Sequence, residues 1–122
     1  MNSTTVTAKV THVIPDSFLL DVVIDQAGYG IGYWAKSAVI DLEEQTYTIT
    51  EYNDDPDVST VLSFEQIANA LVQLAYQSLR HLHIREELVA LAQGQHYAGG
   101  SMDADDADSI IQLAAFGEVI YG

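Results

Sequence analysis

The sequence predicts an α+β fold, a small antiparallel sheet with three or four helices packed on one face, in a single domain over residues 1–122. Three observations carry that prediction. Apolar and polar residues alternate between residues 5 and 14. Two runs rich in aromatic and β-branched residues are joined by a short acidic link near residue 42. From residue 63 onward the apolar spacing lengthens to the period of a helix. A chain of 122 residues, 48% of them hydrophobic, can bury one core without disulfides or a structural metal.

In the first alternating run Val6, Ala8, Val10, His12 and Ile14 share one face and Thr5, Thr7, Lys9 and Thr11 the other, so a half-buried strand is expected over 5–14. Pro15 and Asp16 suit a first helical turn. Phe18, Leu19, Val22, Val23 and Ala27 then recur at helical spacing, which predicts a helix from about 16 to 27 with Gly28 as its stop. Tyr33 to Leu42 and Gln45 to Tyr52 read as two strands of an antiparallel hairpin linked by Asp41-Leu42-Glu43-Glu44. Asn53 to Asp57 reads as a turn, and a short strand is expected from Ser59 to Leu62.

Ser63 followed by Gln66 has the form of a capping box, and Phe64, Ile67, Ala68, Leu71, Leu74, Ala75, Ser78, Leu79 and Leu82 hold the 3.6-residue period. The phase slips at His81-Leu82-His83. Ile84, Leu88 and Leu91 begin a new stripe there, so a kink or a second short helix is expected, with Gly94 as its stop and Gly99-Gly100-Ser101 as a flexible joint. In the last segment Asp103, Asp105, Asp106 and Asp108 lead into Ile110, Ile111, Leu113, Ala114 and Phe116. Acids favour a helix N-terminus through its exposed amides and its macrodipole. Gly117 ends that helix, and Val119-Ile120-Tyr121 is apolar enough to form a final strand or to pack under the sheet.

Charge bounds the partners. Eighteen Asp and Glu face four Lys and Arg, a net charge of -14, and such a field repels nucleic acid, anionic membranes and phosphorylated ligands unless Lys9, Lys36, Arg80 and Arg85 gather locally. Direct nucleic-acid binding is therefore not expected. The acidity has three readings: solubility, adaptation to salt, and imitation of a nucleic-acid phosphate array. The absence of cysteine excludes disulfides, thiolate metal sites, iron–sulfur clusters and a thiol nucleophile. The first residues lack a charged and then apolar leader, and the apolar stretches are interrupted by polar residues, so a cytoplasmic protein without a membrane span is expected.

Few motifs point to chemistry. Gly28-Tyr29-Gly30-Ile31-Gly32 resembles a phosphate-binding loop in its glycines, but it follows a helix and precedes a strand, the reverse of a dinucleotide fingerprint. A helix cap and turn needing positive φ is the competing reading. Beside it Tyr29, Tyr33 and Trp34 are either core residues or a stacking surface for a flat ligand. Asp103 to Asp108 begins like a calcium loop but has Asp108 at the sixth place and Ala114 at the twelfth, where glycine and a bidentate Glu are required. His81 and His83 stand two apart, on different faces of a helix, with His12 and His96 distant, so no metal site is expected. Asp21 and Asp25 are one helical turn apart and read as solvated carboxylates. No G-x-S-x-G or other catalytic motif is present. No catalytic residue, enzyme activity or cofactor is therefore assigned.

The segments Gly28-Tyr-Gly-Ile-Gly-Tyr-Trp-Ala35 and Asp103-Ala-Asp-Asp-Ala-Asp-Ser-Ile-Ile-Gln-Leu-Ala-Ala-Phe-Gly-Glu-Val-Ile-Tyr-Gly122 cover about a quarter of the chain. They resemble the two signature stretches, of the GIxYWA and DADxADxxxQxxxFGxxxYG kinds, of an uncharacterised family of small acidic proteins encoded by tailed bacteriophages. This sequence has Gly28-Tyr29-Gly30 where that family usually has a Gly-Gly pair. The resemblance implies an accessory gene product in the cytoplasm of an infected bacterial host, and carries over no catalytic residue.

These readings converge on a non-enzymatic, homo-oligomeric binding protein that counters host defence by holding a nucleotide-like small molecule. Tyr29, Tyr33 and Trp34 would stack its base, and Lys36, Arg80 and Arg85 would contact its phosphate. The alternatives are an acidic mimic of DNA or RNA that blocks a basic host protein, and a small assembly or structural partner of another phage protein.

Overall fold

The computed structural model describes residues 2–7, 11–52, 58–95 and 98–122; Lys9, the turn expected at 53–57 and His96 lie outside the described residues. The architecture is α+β, with a two-stranded and a three-stranded antiparallel sheet and four helices.

The first alternating run is a hairpin and not the single strand that periodicity predicts. Strands β1 (Ser3–Thr7) and β2 (Thr11–Pro15) pair with Val6 opposite His12 and Thr4 opposite Ile14. Directly opposed residues share a face, and here every opposed pair joins positions of the same parity. The two strands therefore show the same alternation that one continuous strand would. Val6, His12 and Ile14 are all buried, as the one-strand reading required of that face.

Helix α1 follows in three continuous parts, α-helical at Asp16–Phe18, π-helical at Leu19–Ile24 and α-helical again at Asp25–Gly30. It runs past Gly28, which the sequence marked as its stop. None of Gly28, Gly30 and Gly32 has the positive φ that a cap-and-turn reading requires. Gly30 has a different physical role: a β-carbon there would overlap the carbonyl oxygen of Ala104, at the start of the last helix, so only glycine permits that approach. A β-carbon at Gly28 would meet nothing within 4 Å.

Strands β3 (Ala35–Asp41), β4 (Thr46–Glu51) and β5 (Val58–Ser63) form the second sheet in that order. The acidic link is the hairpin turn expected, closed by the Glu44 amide donating to Asp41 Oδ1 at 3.0 Å, with Gln45 at φ 57. Tyr47 sits opposite Ile40 and Leu62, and Ile49 opposite Ala38 and Thr60, which makes this the inner face. Val39, Thr48 and Val61 are aligned across the outer face, where Val39 is 62% and Val61 60% exposed. Helices cover one face only.

Helix α2 (Phe64–Gln77) opens with the predicted capping box, in which Gln66 N donates to Ser63 Oγ at 3.1 Å and Ser63 N to Gln66 Oε1 at 2.8 Å. Ser78 is extended and breaks the helix earlier than the periodicity suggests, leaving Leu79 and Leu82 exposed. A 3₁₀ turn (Leu79–His81) and helix α3 (Leu82–Ala92) follow at the predicted phase slip, and Gly94 takes a positive φ just beyond. Helix α4 (Ala104–Phe116) is capped by Asp103, whose Oδ1 accepts from Asp106 N at 2.9 Å while Asp106 Oδ2 accepts from Asp103 N at 3.1 Å. His83 Nε2 braces the same Asp106 Oδ2 at 2.9 Å. Gly117, at φ 78, ends the helix as expected.

The expected flexible joint at Gly99-Gly100-Ser101 is pinned. The Glu87 carboxylate accepts the amide of Gly99, the amide of Ser101 at 3.1 Å and the Ser101 hydroxyl at 2.5 Å. Burial pushes this carboxyl up, but the Ser101 hydroxyl and the amides of Gly99, Ser101 and Gly100 outweigh it and hold Glu87 below the usual carboxylate range. Beyond α4, Val119 and Ile120 form no strand and are half exposed, and only Tyr121 packs inward.

The two glycines predict opposite outcomes in chemical denaturation. Gly28→Ala is expected to gain about 0.5–1 kcal/mol from reduced backbone entropy within a helix. Gly30→Ala is expected to lose about 1–3 kcal/mol to overlap with Ala104. The Glu87 clamp predicts a pH signature. A folded pKa below the unfolded one contributes stability that is complete above the ordinary carboxylate range and is lost as pH falls through the depressed value. The deficit of Glu87→Gln against the wild type should therefore be present at neutral pH and shrink in urea melts at about pH 3.

Candidate functional site

The two sequence stretches singled out at residues 28–35 and 103–122 meet in space. Gly30 admits the start of α4. One turn further along that helix the carboxylate of Asp108 takes the indole Nε1–H of Trp34 at 2.8 Å on Oδ1 and the Tyr33 hydroxyl at 2.6 Å on Oδ2. Gln112, one more turn along and fully buried, donates to Asp108 Oδ1 at 2.8 Å. Its Oε1 accepts the amides of Ile120 at 2.9 Å and Tyr121 at 2.8 Å. That side chain folds the segment after α4 back over the indole, so that the Tyr121 ring stacks on Trp34 at 5.2 Å with 6° between planes. Phe116 meets Trp34 edge-on at 5.5 Å. The Tyr121 hydroxyl reaches Glu51 Oε1 at 2.6 Å, tying the cluster to β4.

This geometry corrects the expectation that Trp34 offers a ring to a ligand. Its side chain is only 3% exposed, with Tyr121 on one face and Phe116 at its edge, and it belongs to the core. Tyr33 is half exposed, but burial of its phenol and the bonded Asp108 carboxylate push it up to about 12, so it stays a protonated donor. Tyr29 is 79% exposed on the last turn of α1.

Nor do the three described cations converge. Lys36 lines a cleft of about 570 Å³ between α1 and β3. Arg80 lines a separate cavity beside α4. Arg85 donates from Nε to the Ala75 carbonyl at 2.5 Å and lies 4.9 Å over the Tyr76 ring. Tyr76 in turn meets His12 Nε2 at 2.7 Å, and burial holds that imidazole below its ordinary pKa. Arg85 is thus part of a structural stack.

The α1–β3 cleft is the larger of these two spaces, and its lining mixes apolar walls with a few polar groups. Leu20 and Ile24, from the π-helical part of α1, form one wall with Ile31. Ile40 and Tyr47 from the sheet form the other. Polar groups come from Asp25, Lys36 and Ser37, and Gly28 and Gly32 leave its margin free of side chains. Asp25 was legible in sequence only as half of a solvated carboxylate pair. Ile40 and Tyr47 carried no functional signal at all, because only hairpin register brings them beside α1.

Among the described residues no helix is long and apolar enough to cross a membrane, and no group of three or more His, Cys, Asp or Glu forms a cluster suited to a metal ion. Comparison of the chain with protein-family models, with curated proteins and with solved structures finds no match in any of the three.

Gln112→Leu removes the carboxamide while keeping its bulk, leaving two backbone amides and part of the Asp108 carboxylate unsatisfied. It is expected to cost about 1–3 kcal/mol. Amide exchange should locate the damage, with protection lost first at Ile120 and Tyr121.

Proposed function

We propose that this protein is a non-enzymatic binding protein that holds a nucleotide-like small molecule in the α1–β3 cleft. The observation that carries the reading is the placement of Lys36, with Asp25 and Ser37, beside the apolar walls of a cleft of about 570 Å³, a volume suited to a small organic ligand. A base lies against Ile40, Tyr47 and the Leu20–Ile24 wall, the Lys36 ammonium meets the phosphate, and Asp25 and Ser37 accept or donate to sugar hydroxyls. Trp34 serves the site indirectly. By anchoring the chain two residues before Lys36, it sets where β3 begins.

In the setting that the sequence resemblance implies, a bacteriophage protein in an infected host, such binding withdraws a nucleotide signal from a defence system. The alternative reading, imitation of nucleic acid by carboxylates, draws less support. Asp103, Asp106 and Asp108 all accept hydrogen bonds within the fold and are not arrayed for a partner.

A thermal-shift panel of cyclic oligonucleotides and ADP-ribose derivatives tests the proposal. A ligand at a hundredfold excess over Kd should stabilise the wild-type protein by about 2.7 kcal/mol, which raises the melting temperature by several degrees. Lys36→Ala should lose the shift and Trp34→Phe should keep it at a lower starting temperature. No shift across the panel refutes the reading.

A further inference from the structure

A second cavity, of about 520 Å³, lies where the end of α2 and the 3₁₀ turn meet the C-terminal half of α4. Its polar lining is unusual for so acidic a chain. Arg80, His81, Ser78 and Ser109 all contribute to it. Leu74, Leu113 and Val119 supply apolar surface, and Glu118 is the one carboxylate among the lining residues.

The orientation of the 3₁₀ turn is the first observation that needs an explanation. Leu79 is 79% exposed and turned away from the cavity, while the exposed Arg80 and the partly buried His81 line it, so the one apolar side chain of the turn is not the one that faces the neighbouring helix. The extended Ser78 (φ -162, ψ 167) sets that orientation by breaking α2 ahead of the turn. The second observation is the state of the side chains. In a chain with 18 carboxylates, no hydrogen bond or ion pair among the described residues engages the Arg80 guanidinium, and Glu118 does not pair with it. The Ser109 hydroxyl likewise has no hydrogen-bond partner among the described residues. Ser78 Oγ has only a long 3.5 Å approach to His81 Nδ1.

A cation beside two helix C-termini is ordinarily accounted for by their dipoles. Here a carbonyl at each end is met without Arg80. Arg85 donates to the Ala75 carbonyl at the end of α2, and the Gly117 amide closes on the Leu113 carbonyl at 2.9 Å at the end of α4. Arg80 is left with donors that no described residue uses.

We infer that this cavity is a binding site for a small organic anion, a phosphate monoester or a carboxylate, held by the Arg80 guanidinium with the His81 ring and the Ser78 and Ser109 hydroxyls. The guanidinium fork fits two oxygens of either group, the hydroxyls complete its hydrogen bonding, and the apolar side formed by Leu74, Leu113 and Val119 takes the body of the molecule. The site is separate from the Lys36 cleft and does not depend on it.

The test is titration of the isotope-labelled full-length chain, followed by NMR, with phenyl phosphate, benzoate and inorganic phosphate. Phenyl phosphate or benzoate should perturb the amides of Ser78, Arg80, His81 and Ser109. Whichever binds more tightly identifies the anion as phosphate or carboxylate. Inorganic phosphate should bind more weakly than phenyl phosphate, because it leaves the apolar side unused. Arg80→Ala should weaken binding about tenfold or more, and Arg80→Lys should restore only part of it. Both variants should melt at the wild-type temperature, since the exposed Arg80 has no hydrogen-bond or ion-pair partner among the described residues. Lys36→Ala should bind these probes as the wild type does. Absence of perturbation at those four residues, or unchanged affinity in Arg80→Ala, overturns the assignment. Equal affinity for inorganic and phenyl phosphate overturns the role given to the apolar side.

Discussion

The carboxylate of Asp108 is the constraint on which the site end of this fold depends. It accepts from the Trp34 indole, the Tyr33 hydroxyl and the Gln112 carboxamide, three donors from two distant segments. A partly buried carboxylate is costly unless its lone pairs are met, and here the donors meet them. Satisfying that carboxylate fixes the entry to β3 against α4. Gln112 then carries the constraint onward to Ile120 and Tyr121, whose ring closes over Trp34. The start of β3 determines where Lys36 and Ser37 stand beside α1. The cleft is therefore shaped by a polar cluster that does not line it.

Asp108 is not alone among the carboxylates in accepting hydrogen bonds within the fold. Asp16 accepts from Gln45, Asp41 closes the β3–β4 turn, Glu51 receives Tyr121, Glu87 pins the loop before α4, and Asp103 and Asp106 cap α4. With four Lys and Arg in the chain, the acids that accept hydrogen bonds within the fold take them mainly from neutral donors, amides and hydroxyls, in place of cations. The net charge of -14 is accordingly in part a structural currency of hydrogen-bond acceptors and only in part a solvated surface. The same scarcity makes the position of each cation informative. Arg85 packs over Tyr76, Lys36 lines the α1–β3 cleft and Arg80 lines the cavity beside α4.

Local chemistry made much of the fold legible. Ser63 with Gln66 and the acids at 103–108 announce helix starts because a cap is a contact between residues three apart. The hairpin at 41–44 is readable because turn chemistry is equally local. The phase slip near His81 is visible because helical periodicity extends over only a few residues. The hairpin hidden in residues 3–15 was not legible, since register pairing of equal parity leaves the same alternation as one strand. Gly30 misled for a related reason: its need is for space beside Ala104, and that neighbour is supplied by a helix more than seventy residues away.

By itself the sequence determined the α+β class, most element boundaries, the helix caps and the acidity, all of which follow from contacts within a few residues and from composition. The tertiary structure alone decided that Trp34 is core, that Asp108 and Gln112 hold it there, and that Lys36, Arg80 and Arg85 go to three different places. The physical reason is that these outcomes are set by which distant surfaces can exclude water and satisfy each other's polar groups. Residue spacing along the chain carries no record of that.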